Sequence, residues 1–306
     1  MPSKSIISSG LSRSFGPITA VSNLNISIDR GELYGLVGPD GSGKTTTMRL
    51  LAGIMEPTGG DAHVAGFSVR SDPEEVKARI GYMSQRFGLY EDLTVMENIL
   101  FYADLYEVPE AERTGRIGRL LAFSNLEPFR QRLAGALSGG MKQKLGLACA
   151  LVHTPEVLLL DEPTNGVDPV SRRDFWRILY DLLREGVTIL LSTSYLDEAE
   201  RCTRIGLIHR GGIILEGDPF QVRSTLKVQM LELWPDRVRE AGVVARKLGG
   251  VQEVTVYGDR LHITLERETP QAAVVEGMKR AGIEVLEHRD ILPSLEDVFI
   301  ASVRGA

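Results

Sequence analysis

The chain has 306 residues, room for one large domain or for a domain of about 220 residues with a small one behind it. A hydrophobic content of 43% and a charged content of 25% exclude collagen-like, disordered and disulfide-scaffold classes. The net charge of -6 excludes a nucleic-acid-coating surface, so DNA and RNA are not expected partners. Cys149 and Cys202 lie too far apart for a redox or metal pair and read as buried reduced thiols. The histidines show no H-E-x-x-H spacing, so a metal is expected to arrive with a nucleotide rather than in a site built by the protein. No apolar stretch reaches the ~20 residues of a membrane span, and the start MPSKSIISSG lacks a signal-peptide core. Any work at a membrane is therefore expected to need another chain that spans it.

In chain order, Leu24, Ile26 and Ile28 alternate with polar residues and predict one half-buried strand before a turn at Arg30-Gly31. Leu33 to Val37 predicts a buried strand, and Lys44 to Leu51 a helix. Val157 to Leu160 predicts a second buried strand closed by Asp161. Asp168-Pro169 supplies an N-cap followed by proline at the first helical position, so a helix is expected from Pro169 to about Arg184. Gly186 ends it, and Thr188 to Ser192 returns as a strand. This alternation predicts a parallel sheet wrapped by helices. Ile205 to Ile208 and Ile213 to Glu216 flank Arg210-Gly211-Gly212, a hairpin signal. Beyond it the pattern changes to Val228–Leu233, a helix over Pro235–Leu248, Val251–Val256, Leu261–Leu265, a helix over Pro270–Ala281, and Glu284–His288. That order, βαββαβ, predicts a small split-βαβ domain with its boundary at Lys227.

Between the strand at Leu33 and the helix at Lys44 stands Gly38-Pro39-Asp40-Gly41-Ser42-Gly43-Lys44-Thr45, which satisfies G-x-x-x-x-G-K-[ST] in the context that motif requires. Its glycines let successive backbone N–H groups turn toward phosphate oxygens, and the following helix adds the positive end of its dipole. Lys44 is expected on the β and γ phosphates and Thr45 on Mg²⁺. Asp40 should point outward, because a carboxylate facing a triphosphate is electrostatically costly. Asp161 is presented at the carboxyl end of a buried strand, where such sheets bind ligands, and is expected to hold Mg²⁺ through water. Glu162 is placed to orient or deprotonate the water that attacks the γ phosphate. Ser138, Gly139 and Gly140, in the run LSGGMKQKL, read as a serine N-cap and two glycines that leave the first helical N–H groups free for an anion.

Taken together, the first ~220 residues resemble the nucleotide-binding domain of ATP-binding cassette (ABC) transporters. Gly38–Thr45 matches Walker A, Gln85 the Q-loop, Leu137–Gln143 the signature, Val157–Glu162 Walker B and Gly166–Asp168 the D-loop. The resemblance implies an α/β P-loop NTPase cassette, with a mixed sheet and helices, an antiparallel β subdomain and a helical signature subdomain. It comprises residues 1–226, and a small α+β domain occupies 227–306. It implies ATP and Mg²⁺, with Thr46 beside the loop in the nucleotide site. Gln85 would touch the metal and the attacking water, and Phe15 would stack on adenine, although it also suits an ordinary core position. It further implies a second cassette, in a homodimer or heterodimer, whose signature faces the γ phosphate held here. An integral membrane permease at the cytoplasmic face is the other implied partner. Gly88–Asn98 and Pro293–Phe299 resemble the export-type ABC-2 branch, and Phe87, Leu89 and Tyr90 either line the groove for the permease's coupling helix or pack as core.

One departure stands out. The family carries a histidine where this chain reads Ser192-Thr193-Ser194-Tyr195-Leu196-Asp197-Glu198, so Ser194 occupies the switch position. An imidazole there can stabilise the transition state and serine is too short to replace it, which implies ATP binding with slow turnover unless a water or a shifted neighbour covers the gap. In a heterodimer the intact signature would then serve the partner's site. The alternative function is a soluble ATP-dependent sensor or regulatory cassette that does not drive transport.

Overall fold

The computed structural model describes residues 4–85, 88–226, 228–266 and 268–304. Contacts divide the chain into two compact units, Met1–Asp218 and Pro219–Ala306. The first unit begins with β1 (Lys4–Phe15), β2 (Ile18–Leu24), β3 (Ser27–Asp29), β4 (Leu33–Val37), α1 (Lys44–Leu51), β5 (Gly59–Val64) and β6 (Phe67–Ser68). It continues through α2 (Pro73–Arg79), β7 (Ile80–Met83), α3 (Val95–Leu105), α4 (Glu110–Phe123) and α5 (Gly139–Leu151). The last part is β8 (Val157–Asp161), α6 (Pro169–Arg184), β9 (Thr188–Thr193), α7 (Leu196–Ala199), β10 (Arg204–His209) and β11 (Gly212–Gly217).

A six-stranded sheet in the order β11-β10-β4-β9-β8-β7 carries the unit, parallel except for β11. β4 and β8 are buried along their whole length, which is why they appear in the sequence as unbroken apolar runs. The register sets the site: Val37 pairs with Thr193, Ser192 with Asp161, and Leu160 with Met83. The carboxyl ends of four strands therefore finish level, the position where open parallel sheets present ligand-binding groups. The expected hairpin closes through Arg210 and Gly211 at φ 46° and 84°, the two left-handed residues of a tight primed turn.

The expected single strand over Leu24, Ile26 and Ile28 is corrected: β2 ends at Leu24 and β3 begins at Ser27. All three apolar side chains are buried, as the alternation requires. The break has local causes. Asn23 turns left-handed at φ 47°, and the Asn25 side chain accepts from Gly10 N while donating to Asn23 O. Ser8, in β1, repairs the interrupted ladder by donating to Leu24 O and accepting from Ile26 N, both at 2.9 Å. β1 is the hub of the antiparallel layer, pairing with β2, β3 and β5. That layer shares its core with α1 and the parallel sheet through Ile6, Leu24, Leu36, Met48, Leu51 and Leu159.

The second unit comprises α8 (Pro219–Thr225), β12 (Gln229–Pro235), α9 (Val238–Ala245), β13 (Val251–Tyr257), β14 (Arg260–Leu265), α10 (Gln271–Arg280), β15 (Val285–Ile291) and α11 (Leu295–Arg304). Its antiparallel sheet runs β13-β14-β12-β15, the strand order of a split-βαβ unit. Leu231, Leu233, Leu261 and Ile263 pack with Ala241, Val274 and Met278 to form its core. Three differences from the sequence reading have physical reasons. The unit begins at Pro219 rather than at Lys227, which lies outside the described residues, because α8 packs against α11. α9 starts late because the β12–β15 pairing extends past Pro235: Asp236 N donates to Glu284 O at 3.0 Å. The unexpected α11 is opened by Ser294 and Asp297, whose side chains cap each other's backbone N–H groups at 3.2 and 2.8 Å.

Both cysteines are buried. Burial pushes the Cys149 thiol well above its usual range, and burial with the neighbouring Glu198 carboxylate pushes Cys202 up to about 12. Neither thiol is activated for nucleophilic chemistry.

Candidate functional site

The loop from Gly38 to Thr45 leaves β4 and enters α1 with Gly41 and Gly43 at φ 76° and 109°. A Cβ on Gly43 would lie 2.4 Å from Ala20 O, and one on Gly38 would lie 2.3 Å from Ile208 O, so strand backbone presses the loop from both sides. Pro39, Asp40 and Gly41 are exposed and Thr46 is half-buried in the first turn of α1. Ser42 is buried with an Oγ that has no hydrogen-bond partner among the described residues. Lys44 is only 4% exposed; its Nζ donates to Gly38 O at 2.8 Å and Pro39 O at 3.1 Å and pairs with Glu162 Oε1 at 3.1 Å.

Asp161 and Glu162 stand opposite, at the end of β8. Asp161 Oδ1 accepts from Ser192 Oγ at 2.6 Å and from Thr45 Oγ1 at 3.2 Å. Its Oδ2 is buried and unpartnered among the described residues, an orphan that a hard cation would satisfy. Thr45 and Asp161 therefore fit Mg²⁺. Glu162 adopts φ 49° and accepts at Oε2 from Gln85 Nε2 at 3.0 Å and Asn165 Nδ2 at 3.3 Å. Thus Lys44, Thr45, Gln85, Asp161 and Glu162, chosen from three separate stretches of sequence, form one hydrogen-bonded set. Ser192 and Asn165 belong to it and were not anticipated; Ser192 could have been found from the pairing of its strand with Asp161.

Ser138 caps α5 by accepting from Met141 N at 3.3 Å, and Ser138 and Gly139 are exposed. The two glycines differ. Gly139 has open space where a Cβ would be, whereas a Cβ on buried Gly140 would lie 2.3 Å from Ser171 Cβ. Gly140 thus lets α5 approach the start of α6, which Asp168 caps through Val170 N and Ser171 N. Lys142 reaches Glu91 at 2.7 Å and holds that carboxyl below its usual range.

The segment before α3 is shaped by buried Asn98. Its amide accepts from Tyr90 N and donates to the Tyr90, Leu93 and Thr94 carbonyls, while Thr94 and Glu97 form a capping box. Of the expected groove residues, Phe87 lies outside the described residues, Leu89 is half-buried, and Tyr90 is 47% exposed with its ring edge-on to Phe101 at 4.6 Å. A cavity of about 710 Å³ is lined by Ile54, Lys77, Ala78, Tyr82, Leu105 and Tyr106 among others. Ile54 and Leu105 are 56% and 61% exposed, unusual for large apolar side chains at a concave surface. Phe15 is 43% exposed with the Arg13 guanidinium 4.7 Å from its ring, so it is not a core residue. Ser194 is exposed just past β9.

The two signature glycines should respond differently to alanine. Gly140→Ala should lower unfolding free energy by about 1–3 kcal/mol through overpacking, whereas Gly139→Ala should be neutral or raise it by up to about 1 kcal/mol. Urea denaturation of the full chain measures both.

Residues 21–165 match the family described as ABC transporter, and residues 217–303 match the ATP-binding protein DrrA1-3-like, C-terminal domain. The chain is 44% identical over 290 residues to the probable multidrug ABC transporter ATP-binding protein YbhF of Escherichia coli, covering 94% of this chain and 50% of that protein. It thus spans about half the length of that relative. It is 34% identical over 305 residues to the daunorubicin/doxorubicin resistance ATP-binding protein DrrA of Streptomyces peucetius, covering 98% of this chain and 92% of that one. Identity to the Nod factor export ATP-binding protein I of Burkholderia pseudomallei is 38%, over 92% of this chain and 90% of the relative. Among solved structures, an ATP-binding subunit of an ABC transporter matches at 31% identity and TM-score 0.66, covering 72% of this chain and 92% of that one. A dimeric bacterial ABC transporter cassette matches at 27% identity and TM-score 0.64, over 70% of this chain and 98% of that one. The glycine loop, the paired acidic residues and the appended split-βαβ unit thus have one source: the chain belongs to the ATP-binding proteins of ABC transporters, in the group that carries a DrrA-like C-terminal domain.

Proposed function

We propose that this chain is the ATP-hydrolysing subunit of an ABC-2-type exporter, bound to an integral permease at the cytoplasmic face of a membrane and working as a sandwich of two cassettes. The observation that carries this reading is the single set formed by Lys44, Thr45, Gln85, Asp161 and Glu162, with a carboxylate oxygen of Asp161 and the Ser42 hydroxyl beside it buried and without a partner among the described residues. The relatives' names, for multidrug transport, drug resistance and Nod factor export, support the export branch. No helix among the described residues is long and apolar enough to cross a membrane, which fits a division of labour with a permease.

In this reading the loop N–H groups and Lys44 take the β and γ phosphates, and Gly139 and its neighbours on the second cassette face the γ phosphate from across the sandwich. Thr45, Asp161 and Gln85 would hold Mg²⁺, which would supply positive charge beside the phosphate oxygens. Glu162 accepts a proton from water as its oxygen attacks the γ phosphorus, while the bond to the β-phosphate oxygen breaks and ADP leaves. Lys44 and Glu162 pair directly at 3.1 Å with both side chains buried, so phosphate competes with Glu162 for the same ammonium.

That competition generates the first test. Glu162→Gln removes the rival charge and the base together. Turnover should fall by about 10²–10⁴-fold, while ATP raises the melting temperature by more than it does in the wild type. An ATP shift smaller than that of the wild type would contradict the pairing.

Ser194 remains the proposed cause of a slow site. Restoring an imidazole by Ser194→His should raise kcat about tenfold or more, since single preorganised donors are worth that much. No rise in the assembled complex sinks that account.

The apolar rim of the groove near α2 and α3 suits the apolar face of a permease helix. Leu105→Glu should leave ATP binding by the isolated chain unchanged and abolish co-purification of an integral protein from membranes. Retained co-purification would place the permease elsewhere.

A further inference from the structure

The ATPase reading gives no task to Tyr195 or Asn165, yet both stand in line with the carboxylate it depends on. Glu162 adopts a left-handed backbone conformation, which a residue with a side chain keeps only where its surroundings fix it. Its N–H is fixed by Ser192 O and Ser192 Oγ, both at 3.1 Å, and its Oε1 by Lys44. Its Oε2 takes two amide donors, Gln85 and Asn165. The Asn165 amide is held from its other end as well: Tyr195 Oη donates to Asn165 Oδ1 at 3.2 Å. A hydroxyl donor at Oδ1 and a carboxylate at Nδ2 leave the amide one orientation, the one that directs N–H toward Glu162.

Tyr195 is itself well held. Its N–H donates to Thr193 Oγ1 at 3.0 Å, and the Arg172 guanidinium lies 4.8 Å from its ring centre. Thr193 Oγ1 donates to Glu198 Oε2 at 2.8 Å, and Thr164 Oγ1 donates to the other oxygen of the same carboxylate. Glu198 is 1% exposed and lies 3.6 Å from Arg172 Nε. The segment after β9 and the turn after β8 are therefore fastened twice, on the buried side through Glu198 and on the exposed side through the bond from Tyr195 to Asn165. Ser194 lies between the two fastenings.

We propose that Tyr195 is a positioning residue for hydrolysis. Acting through Asn165, it holds the Glu162 carboxylate where the attacking water needs its acceptor. The inference rests on the reading of Glu162 as that acceptor. It gives the segment that lacks a switch histidine a different link to the reacting centre, one residue along the chain. Tyr195 is 36% exposed, so its hydroxyl bond contributes little to folding and its loss should register in turnover rather than in stability.

The test uses Tyr195→Phe in the full chain with Mg²⁺ and ATP, at a protein concentration above which the rate per chain no longer changes. The ring and its Arg172 contact stay and only the hydroxyl goes. kcat should fall about three- to tenfold, the effect of losing one hydrogen bond in the transition state, with KM for ATP and the melting temperature unchanged. Asn165→Ala should reduce kcat at least as far, and adding Tyr195→Phe to it should change nothing more, because the hydroxyl acts only through the amide. An unchanged kcat in Tyr195→Phe, independent effects in the double variant, or a fall in melting temperature parallel to kcat would each overturn the inference. Wild-type binding of ATP without turnover would remove the ATPase reading and this inference with it. Wild-type turnover with an unaffected Tyr195→Phe removes this inference alone.

Discussion

Charge buried at the end of a sheet is the constraint that the rest of the cassette serves. Lys44, Asp161 and Glu162 are all less than a tenth exposed, and an isolated charge in such a place would be prohibitively costly. Each is answered by a group delivered from a different element. Lys44 finds Glu162 and two loop carbonyls, Asp161 finds Ser192 and Thr45, and Glu162 finds Gln85 and Asn165. Such convergence requires β4, β9, β8 and β7 to end level, so the pairing register is a functional quantity. A slip of one residue would turn Asp161 away from Ser192 and leave its carboxylate buried without a donor.

The same constraint explains which parts could be read from sequence. Strands buried on both faces must be apolar throughout, so Leu33–Val37 and Val157–Leu160 announce themselves, and the charged residues that follow them have no neutral reason to be there. Asp168-Pro169 states a helix start outright, because the cap and the fixed φ are local properties. The antiparallel layer was implied by the family resemblance, but its central strand was not readable from its own residues. β1 is the serine-rich KSIISSGLSRSF, whose hydroxyls serve distant backbone groups at a strand break, and nothing local says that Ser8 answers Leu24 and Ile26. α11 was missed although Ser294 and Asp297 spell a capping pair, since the segment lay past the last expected strand.

At the site, the residues proposed to meet phosphate or metal were readable because that chemistry constrains their type and spacing together. Residues that hold those residues were not. Asn165 and Tyr195 are ordinary surface types, thirty positions apart, and only the fold makes them neighbours. Gly140 shows the mixed case: its residue type is visible in the sequence, but the reason, a Cβ 2.3 Å from Ser171, belongs to the packing of α5 on α6. A pair of glycines that looks like one anion-binding feature thus divides into one position open to a ligand and one that lets two helices meet.

This division bears on how two cassettes would share work. In the proposed sandwich, the outward end of α5 would face the partner and rests on its own cap and on Gly140 packing, both present here. What it keeps for itself depends on the segment after β9, where serine stands in the switch position and the connection to Glu162 runs through an exposed phenol and an amide. A histidine would act on the phosphate itself, whereas this chain of bonds would act on the proposed base. The two arrangements stabilise different parts of the same transition state, so one compensates for the other only in part. On the proposed reading, a site of this kind would favour holding ATP over cleaving it. In a heterodimer that bias would make this cassette the steadier clamp and its partner the faster hydrolase.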